Sequence, residues 1–476
     1  MEAETKLEKC RENMDEEEKS LHFRKAITSK KEALFRLSLF KDLNPYAGDI
    51  DHKNRWIRLS KLVPWERLDG IYREHFDYRK KRLVKNSRLI VGLFLGQMLL
   101  GMSDRMIVEY FHENPYFQYF CGEEQFRVKG KTSIIHPSLL SKRRSRLGKA
   151  SMQAFERAII DQLVEIGLIR GNKLILDATV FPANITYPND VKLLNTVRDY
   201  LCKTILKVKN TTNPSGRIRT YRRTAKKLYR NFQKTRNKSR RLIQQTRNKM
   251  LRYVRRNLGQ LETVLGQSRE LSQAVRAQIE NRLAIAQTIV EQQTQLSKTK
   301  GARVLDRIVS FHRPAIRPIV RGKEGARVEF GPKAHIALVD GFACLDHSST
   351  SAFNEACLLQ ESLGKHQDRF GKRPQQVLMD QLYSTRENRR ILNHAHIAHN
   401  FKSIGRPPHL PKPEQSKNRR ITKQLHGQRN AIEGAFGHLK TRFNLDKITW
   451  SVPDAESMQI HMGLIAFNLN KALAKV

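Results

Sequence analysis

Residues 171–182 read GNKLILDATVFP. Leu174, Ile175 and Leu176 form a short apolar run without helical spacing, the pattern of a strand buried on both faces. The run ends on Asp177, so this strand delivers a carboxylate at its end. Residues 374–384, PQQVLMDQLYS, repeat the device, with a short apolar strand ending on Asp380. Ligand sites of α/β sheets gather at strand ends, which makes both acids candidate site residues.

The surrounding segments extend the sheet. ARVEFGPKAHIALVDGFACLD, residues 326–346, reads as two neighbouring strands with a bulge or turn at Gly331 and Pro332. STRENRRILNHAHIAHNF, residues 384–401, reads as a helix followed by a strand. GQRNAIEGAFGHLKTRFN, residues 427–444, is a helix on which Arg429, Glu433 and Lys440 share one face. Ile432, Phe436, Leu439 and Phe443 make the adjoining apolar face, which is expected to dock on the sheet. An apolar helix, SMQIHMGLIAFNLNKAL, closes the chain.

Upstream the pattern is helical. RWIRLSKLVPWERLDGIYREHF (55–76) carries apolar residues at helical spacing, and residues 88–120 give two helices separated near Ser103 and Asp104. Either of those residues can cap the second helix through its side-chain oxygen. A third helix begins at Pro137 and Ser138 and stops at Gly148. Lys142, Arg143, Arg144 and Arg146 project from it, in the third position of a helical trio, where a recognition helix enters the major groove.

The 476 residues carry 89 Lys and Arg against 46 Asp and Glu, a formal charge of +43. With 39% hydrophobic residues the chain has enough for a core, and its charge makes nucleic acid the leading partner. Residues 201–256 hold 20 Lys and Arg and no acid, and no proline falls between Pro214 and Pro314. That stretch is expected to be a basic helical hairpin or bundle whose cations, among them Arg222, Arg223, Lys226 and Lys227, contact phosphate. The five cysteines are scattered and form no C-x-x-C pair, which argues against a disulfide framework or zinc ribbon. The longest apolar run, Leu89 to Met102, is too short for a membrane span, and a cytoplasmic setting without a membrane partner is expected. No glycine-rich phosphate loop indicates nucleotide hydrolysis.

Taken together, Asp177, Asp380 and Glu433 with their contexts resemble the DDE transposases of bacterial insertion sequences. In that family's helix pattern, Tyr-x-x-Arg-x-x-x-Glu-x-x-x-x-x-x-Lys, the residues Arg429, Glu433 and Lys440 match, with His426 where the tyrosine stands. The resemblance spans roughly residues 45–190 and 300–475. It implies an α/β fold, a ribonuclease H-like mixed sheet with flanking helices, preceded by a helical DNA-binding domain and interrupted by the basic insertion. The corresponding division is a polar, acidic tail (1–44), a helical DNA-binding domain (45–165), a catalytic domain (166–190 and 301–476) and the insertion (191–300).

The resemblance further implies that Asp177, Asp380 and Glu433 hold two Mg²⁺ (or Mn²⁺) ions, while Arg429, Lys440 and His426 meet DNA. It implies hydrolysis at the ends of a mobile element, strand transfer into target DNA, and a homodimer or higher oligomer on double-stranded DNA in the bacterial nucleoid. Two alternatives stay open: a DNA nuclease that does not join strands, and an inactive DNA-binding protein of the same fold. Thr179, Asn184, Asp190, Lys333 and His335 lie near the expected strands, where they can serve as supporting groups or as buried hydrogen-bonding and turn residues. Trp56 and Trp65 read as core anchors.

Overall fold

In the computed structural model, β1 (Lys173–Val180) is the middle strand of a five-stranded sheet. On one side it pairs antiparallel with β4 (Lys333–Val339), which forms a hairpin with β5 (Phe342–Ser349). On the other it pairs parallel with β6 (Gln376–Leu378), followed by β7 (Ala398–His399), also parallel. The order is therefore β5-β4-β1-β6-β7. A separate two-stranded ladder joins β2 (Pro318–Val320) and β3 (Val328–Phe330). The described residues are 51–76, 86–123, 135–212, 218–268, 271–298, 304–320, 328–402 and 412–476, so the expected tail, 1–44, lies outside them.

Local chemistry explains the sheet's corners. Asp340 and Gly341 turn the β4–β5 hairpin with φ of 50° and 89°, the left-handed pair that a two-residue turn requires. The Asp340 carboxylate also accepts from the Arg170 and Gly171 amides, both at 2.8 Å, fixing the entry to β1. At Gly331 the chain passes so close to its neighbour that an added Cβ would lie 2.0 Å from the Phe181 carbonyl oxygen. In place of the expected bulge at Gly331 and Pro332, the chain runs alongside the segment after β1: the Phe181 amide donates to the Pro332 carbonyl and the Ala183 amide to the Phe330 carbonyl.

The chain forms two compact units, one within residues 1–169 and 461–476, the other within 170–460. The first contains α1 (Arg55–Leu62), α2 (Trp65–Arg73), α3 (Ser87–Leu100), α4 (Asp104–Glu113), α5 (Pro115–Phe120) and α6 (Ser138–Glu165). Trp56 is buried, its ring 4.6 Å from Phe117 and 5.2 Å from Phe120, an aromatic anchor for α1 and α5. Ser103 caps α4 by accepting from the Met106 amide, which leaves Asp104 for another partner. Gly148, the expected stop of the third helix, is instead a break inside α6: it takes φ 70°, and helix resumes directly. Open space surrounds its Cβ position, so conformation and not crowding calls for glycine.

The second unit holds the sheet and four basic helices, α7 (Asp190–Thr212), α8 (Arg222–Lys234), α9 (Arg240–Gln267) and α10 (Gln273–Lys298). Their core contains Val197, Leu201, Phe232, Met250, Val254 and Leu261, so the stretch is a bundle with a real interior. After the sheet hairpin come α11 (Leu359–Phe370), α12 (Arg386–His394), α13 (Lys412–Arg442) and α14 (Ala455–Leu473), the last entering the first unit from His461. Among the described residues, no single helix is long and apolar enough to cross a membrane.

Candidate active site

The parallel pairing of β1 with β6 matches Ile175 with Leu378, a register offset of 203 residues. Asp177 and Asp380 each follow two residues after this pair, and the Asp380 charge acts on the Asp177 carboxyl. Asp177 does not end its strand, as the apolar run suggested; the β-branched Thr179 and Val180 continue the ladder with β4. Asp380 lies just past β6, exposed, and caps the 3₁₀ turn Gln381–Tyr383 by accepting from the Gln381 amide at 2.6 Å. Buried Asn400 holds the preceding residue, accepting from the Met379 amide and donating to the Met379 carbonyl.

α13 closes the site. Ile432, Ala435 and Leu439 are its buried side, continued by buried Phe443 just past its end, with Phe436 only half-buried. Arg429 bridges two acids: Nη2 donates to Glu433 Oε1 at 2.5 Å, and Nη1 lies 3.5 Å from Asp177 Oδ2. Glu433 is 56% exposed, against 19% for Asp177. Lys440 Nζ donates to Thr179 Oγ1 at 3.1 Å. His426 sits half-buried one turn before Arg429.

Burial drives the Asp177 carboxyl up from the ordinary 3.8 to about 6. Glu355 and Asp380 add like charge, while the Ala178 amide and Arg429 pull the other way. Glu355 is a residue that sequence reasoning missed. It opens a 3₁₀ turn, pairs with Lys333 Nζ at 2.8 Å and accepts from the Tyr383 hydroxyl at 3.3 Å. The same hydroxyl lies 2.8 Å from Nε2 of buried His335. Nothing in the local pattern NEACLL marks this glutamate, because its partners come from β4 and the Asp380 turn.

The raised carboxyl has a consequence for stability. The folded chain holds the Asp177 proton until about pH 6, whereas the unfolded chain releases it near 4. The native state binds more protons in that window, so stability without divalent ions falls as pH rises from about 4 to 6, by on the order of 2 kcal/mol. Unfolding midpoints measured across that range should show the drop in the wild type and a flatter course in Asp177→Asn. Superimposable profiles would contradict the assignment of this burial cost to Asp177.

The donor chemistry suits a hard divalent cation: Asp177, Asp380 and Glu433 offer only carboxylate oxygen, and the crowding of acids around Asp177 is relieved by positive charge. In this arrangement, however, no group of three or more His, Cys, Asp or Glu among the described residues is gathered closely enough to hold a metal ion.

The other sequence-derived residues lie elsewhere. Arg144 is buried and ion-paired with Asp104, so it is a core residue and not a groove-facing one. Arg143 and Arg146 each lie 4.4 Å over the Phe76 ring, and Lys142 is exposed. Arg222, Arg223, Lys226 and Lys227 are exposed on α8, away from buried Ala225 and Phe232. Asp190 starts α7 and pairs with Arg307, and the Asn184 backbone amide donates to the Ile448 carbonyl.

Residues 377–470 match the family model of the transposase DDE domain, and residues 45–146 match that of a transposase domain (DUF772). An uncharacterized protein, ORF8 in the nfe locus of Rhizobium meliloti, is 31% identical over 173 residues, 35% of this chain and 76% of that protein. No solved structure matches.

Proposed function

Because the chain belongs to the insertion-sequence transposases that carry a DDE domain, we propose that it cuts phosphodiesters at the ends of a mobile element and joins the freed strand to target DNA. The observation that carries this reading is Arg429, which reaches from α13 to Asp177, 252 residues away in sequence, and to Glu433 beside it. The central-strand Asp177 and the β5-β4-β1-β6-β7 order support a ribonuclease H-like catalytic fold.

Transposases of this family use divalent metal ions. Asp177, Asp380 and Glu433 would hold two Mg²⁺ (or Mn²⁺), which when bound supply an activated oxygen nucleophile and offset charge on the leaving oxygen. Arg429 and Lys440 hold the DNA phosphate, and His426, one turn earlier on α13, contacts the adjoining DNA. In hydrolysis a water oxygen bonds to phosphorus and the bond to the 3′ oxygen breaks, freeing a 3′-hydroxyl. In joining, that hydroxyl bonds to a target phosphorus and displaces a target 3′ oxygen, so phosphodiesters are exchanged without an external energy source. Inserting the element needs its two ends held together, which favours a homodimer or higher oligomer on DNA in the bacterial cytoplasm.

Element-end duplexes incubated with plasmid and Mg²⁺ are expected to yield joined products. Nicking without joining would favour the nuclease alternative, and no nicking on any DNA would favour an inactive DNA-binding protein. Lys142, Arg143 and Arg146 would add contacts from the helical unit, 45–165. On the insertion, the exposed α8 cations would grip the DNA backbone. Each phosphate they neutralise releases condensed counterions, so neutralising Arg222, Arg223, Lys226 and Lys227 together should flatten the log–log salt dependence of binding by up to ~3–4 units. An unchanged slope would return α8 to a merely solvated helix.

A further inference from the structure

We propose that Tyr383 is a positioning residue for Asp380: its buried hydroxyl ties the turn that carries this acid to the strand on the far side of Asp177. The inference rests on the reading of Asp380 as a metal-binding acid. Asp380 is exposed, and among the described residues its carboxylate accepts only from the Gln381 amide of its own turn. Its place is therefore set by that turn, Gln381–Tyr383, and by what holds the turn's two ends. Asn400 holds the residue before Asp380. Tyr383 holds the other end.

The anchor is a chain of hydrogen bonds that runs in one direction. Tyr383 and His335 are both fully buried. The Glu355 carboxylate, paired with Lys333 Nζ at 2.8 Å, can only accept, so the Tyr383 hydroxyl gives its single proton to Glu355 Oε2, 3.3 Å away. The phenol oxygen then accepts from Nε2–H of His335 at 2.8 Å. Burial lowers the pKa of that ring below its ordinary value, so the ring is neutral and its other nitrogen, Nδ1, is bare. Ser362, buried on α11, lies 3.4 Å from Nδ1 and donates to it. Each link fixes the direction of the next, and Tyr383 has a donor on one side and an acceptor on the other.

His335 stands on β4 opposite Ala178, the neighbour of Asp177. In the order β4-β1-β6, the strand of Asp177 lies between His335 and the strand that leads into the Asp380 turn. The tyrosine thus fixes both acids to one frame. Asn388 adds a second tie, donating to the Tyr383 and Ala356 carbonyls at 2.8 Å each, so the turns bearing Asp380 and Glu355 are joined. The frame answers a physical need. Asp380 and Asp177 carry like charge and act on one another, which favours swinging the exposed acid out into water before a cation arrives. A buried anchor holds Asp380 in place against that repulsion, as outer-shell partners hold metal ligands.

The test is Mn²⁺ binding to the full chain without DNA, read as free Mn²⁺ by electron paramagnetic resonance. Tyr383→Phe keeps the ring and removes only the hydroxyl. It should weaken Mn²⁺ binding by roughly tenfold, the scale of loss when an outer-shell partner is removed. Asp380→Asn should weaken binding at least as much. The double variant should bind no more weakly than Asp380→Asn alone, because Tyr383 acts through Asp380.

Losses that multiply in the double variant would show that Tyr383 acts by another route and would overturn the positioning role. Wild-type affinity in Tyr383→Phe, beside weakened affinity in Asp380→Asn, would overturn it too and leave Asp380 as a ligand. Wild-type affinity in Asp380→Asn would overturn the metal reading of Asp380 and the inference together. If Tyr383→Phe does not fold, His335→Leu breaks the same chain one bond earlier and carries the same comparison.

Discussion

Glu433→Gln is expected to fold, bind element-end DNA nearly as the wild type does, and lose cleavage by roughly three or more orders of magnitude. The substitution preserves shape and hydrogen-bonding capacity but removes the negative charge that a hard cation needs in a ligand. Its structural cost is small: Glu433 is 56% exposed, and its ion pair to Arg429 spans a single helical turn. Such a pair contributes at most ~1 kcal/mol. Stability and chemistry should therefore separate cleanly in this variant. Asp177→Asn and Asp380→Asn should lose cleavage to a similar degree, and double variants should be scarcely worse than single ones, since members of one catalytic unit are not additive. Strand nicking of end-labelled DNA with Mg²⁺ or Mn²⁺ provides the measurement. Nicking by Glu433→Gln at the wild-type rate would remove Glu433 from the reaction and leave it as half of a surface ion pair.

The parts of this site that could be read from the sequence share a property: each is announced by its own neighbours. Asp177 and Asp380 follow apolar runs, and Arg429, Glu433 and Lys440 fall on one helical face because helix periodicity fixes them there. The end of β1 is hidden in the sequence for a related reason. Hydropathy breaks at Asp177, yet the strand continues because Thr179 and Val180 pair with β4 and the polar groups face α13. Glu355 and Arg144 were beyond reach because their environments come from far along the chain. Glu355 meets Lys333 from one strand and Tyr383 from the turn after another. Arg144 sits in a run, KRRSR, that looks solvated throughout, while Asp104, 40 residues earlier, pairs with it in the interior. The basic insertion shows both sides: its helices follow from composition, while its interior is made by Leu201, Met250 and Val254, which come from separate parts of the stretch.

That inward arginine leads to the second large effect. Arg144 is 3% exposed, its guanidinium grips both oxygens of Asp104, and it stands 5.5 Å over the Phe94 ring. Gln97 completes the web, donating to Asp104 Oδ1 at 2.7 Å and accepting from Arg144 at 3.3 Å. α3, α4 and α6 are thereby tied together by one buried charge pair. Removing one member strands the other in a poorly solvated place, a change that costs about 3–5 kcal/mol in buried pairs. Asp104 retains 27% exposure, so Arg144→Met is expected near the low end, about 3 kcal/mol, in urea unfolding of the full chain. The double variant Arg144→Met/Asp104→Leu should recover most of that loss, because neither charge then remains to be desolvated. Lys142→Ala and Arg146→Ala provide the contrast, since both side chains are exposed and should change stability by no more than ~1 kcal/mol, Arg146 losing only its contact over the Phe76 ring. Weakened DNA binding in those two variants would report contact, whereas weakened binding in Arg144→Met would follow from loosening of the helices. If Arg144→Met proved as stable as the wild type while discriminating poorly between element-end and random DNA, the guanidinium would have to leave Asp104 and enter the groove after all.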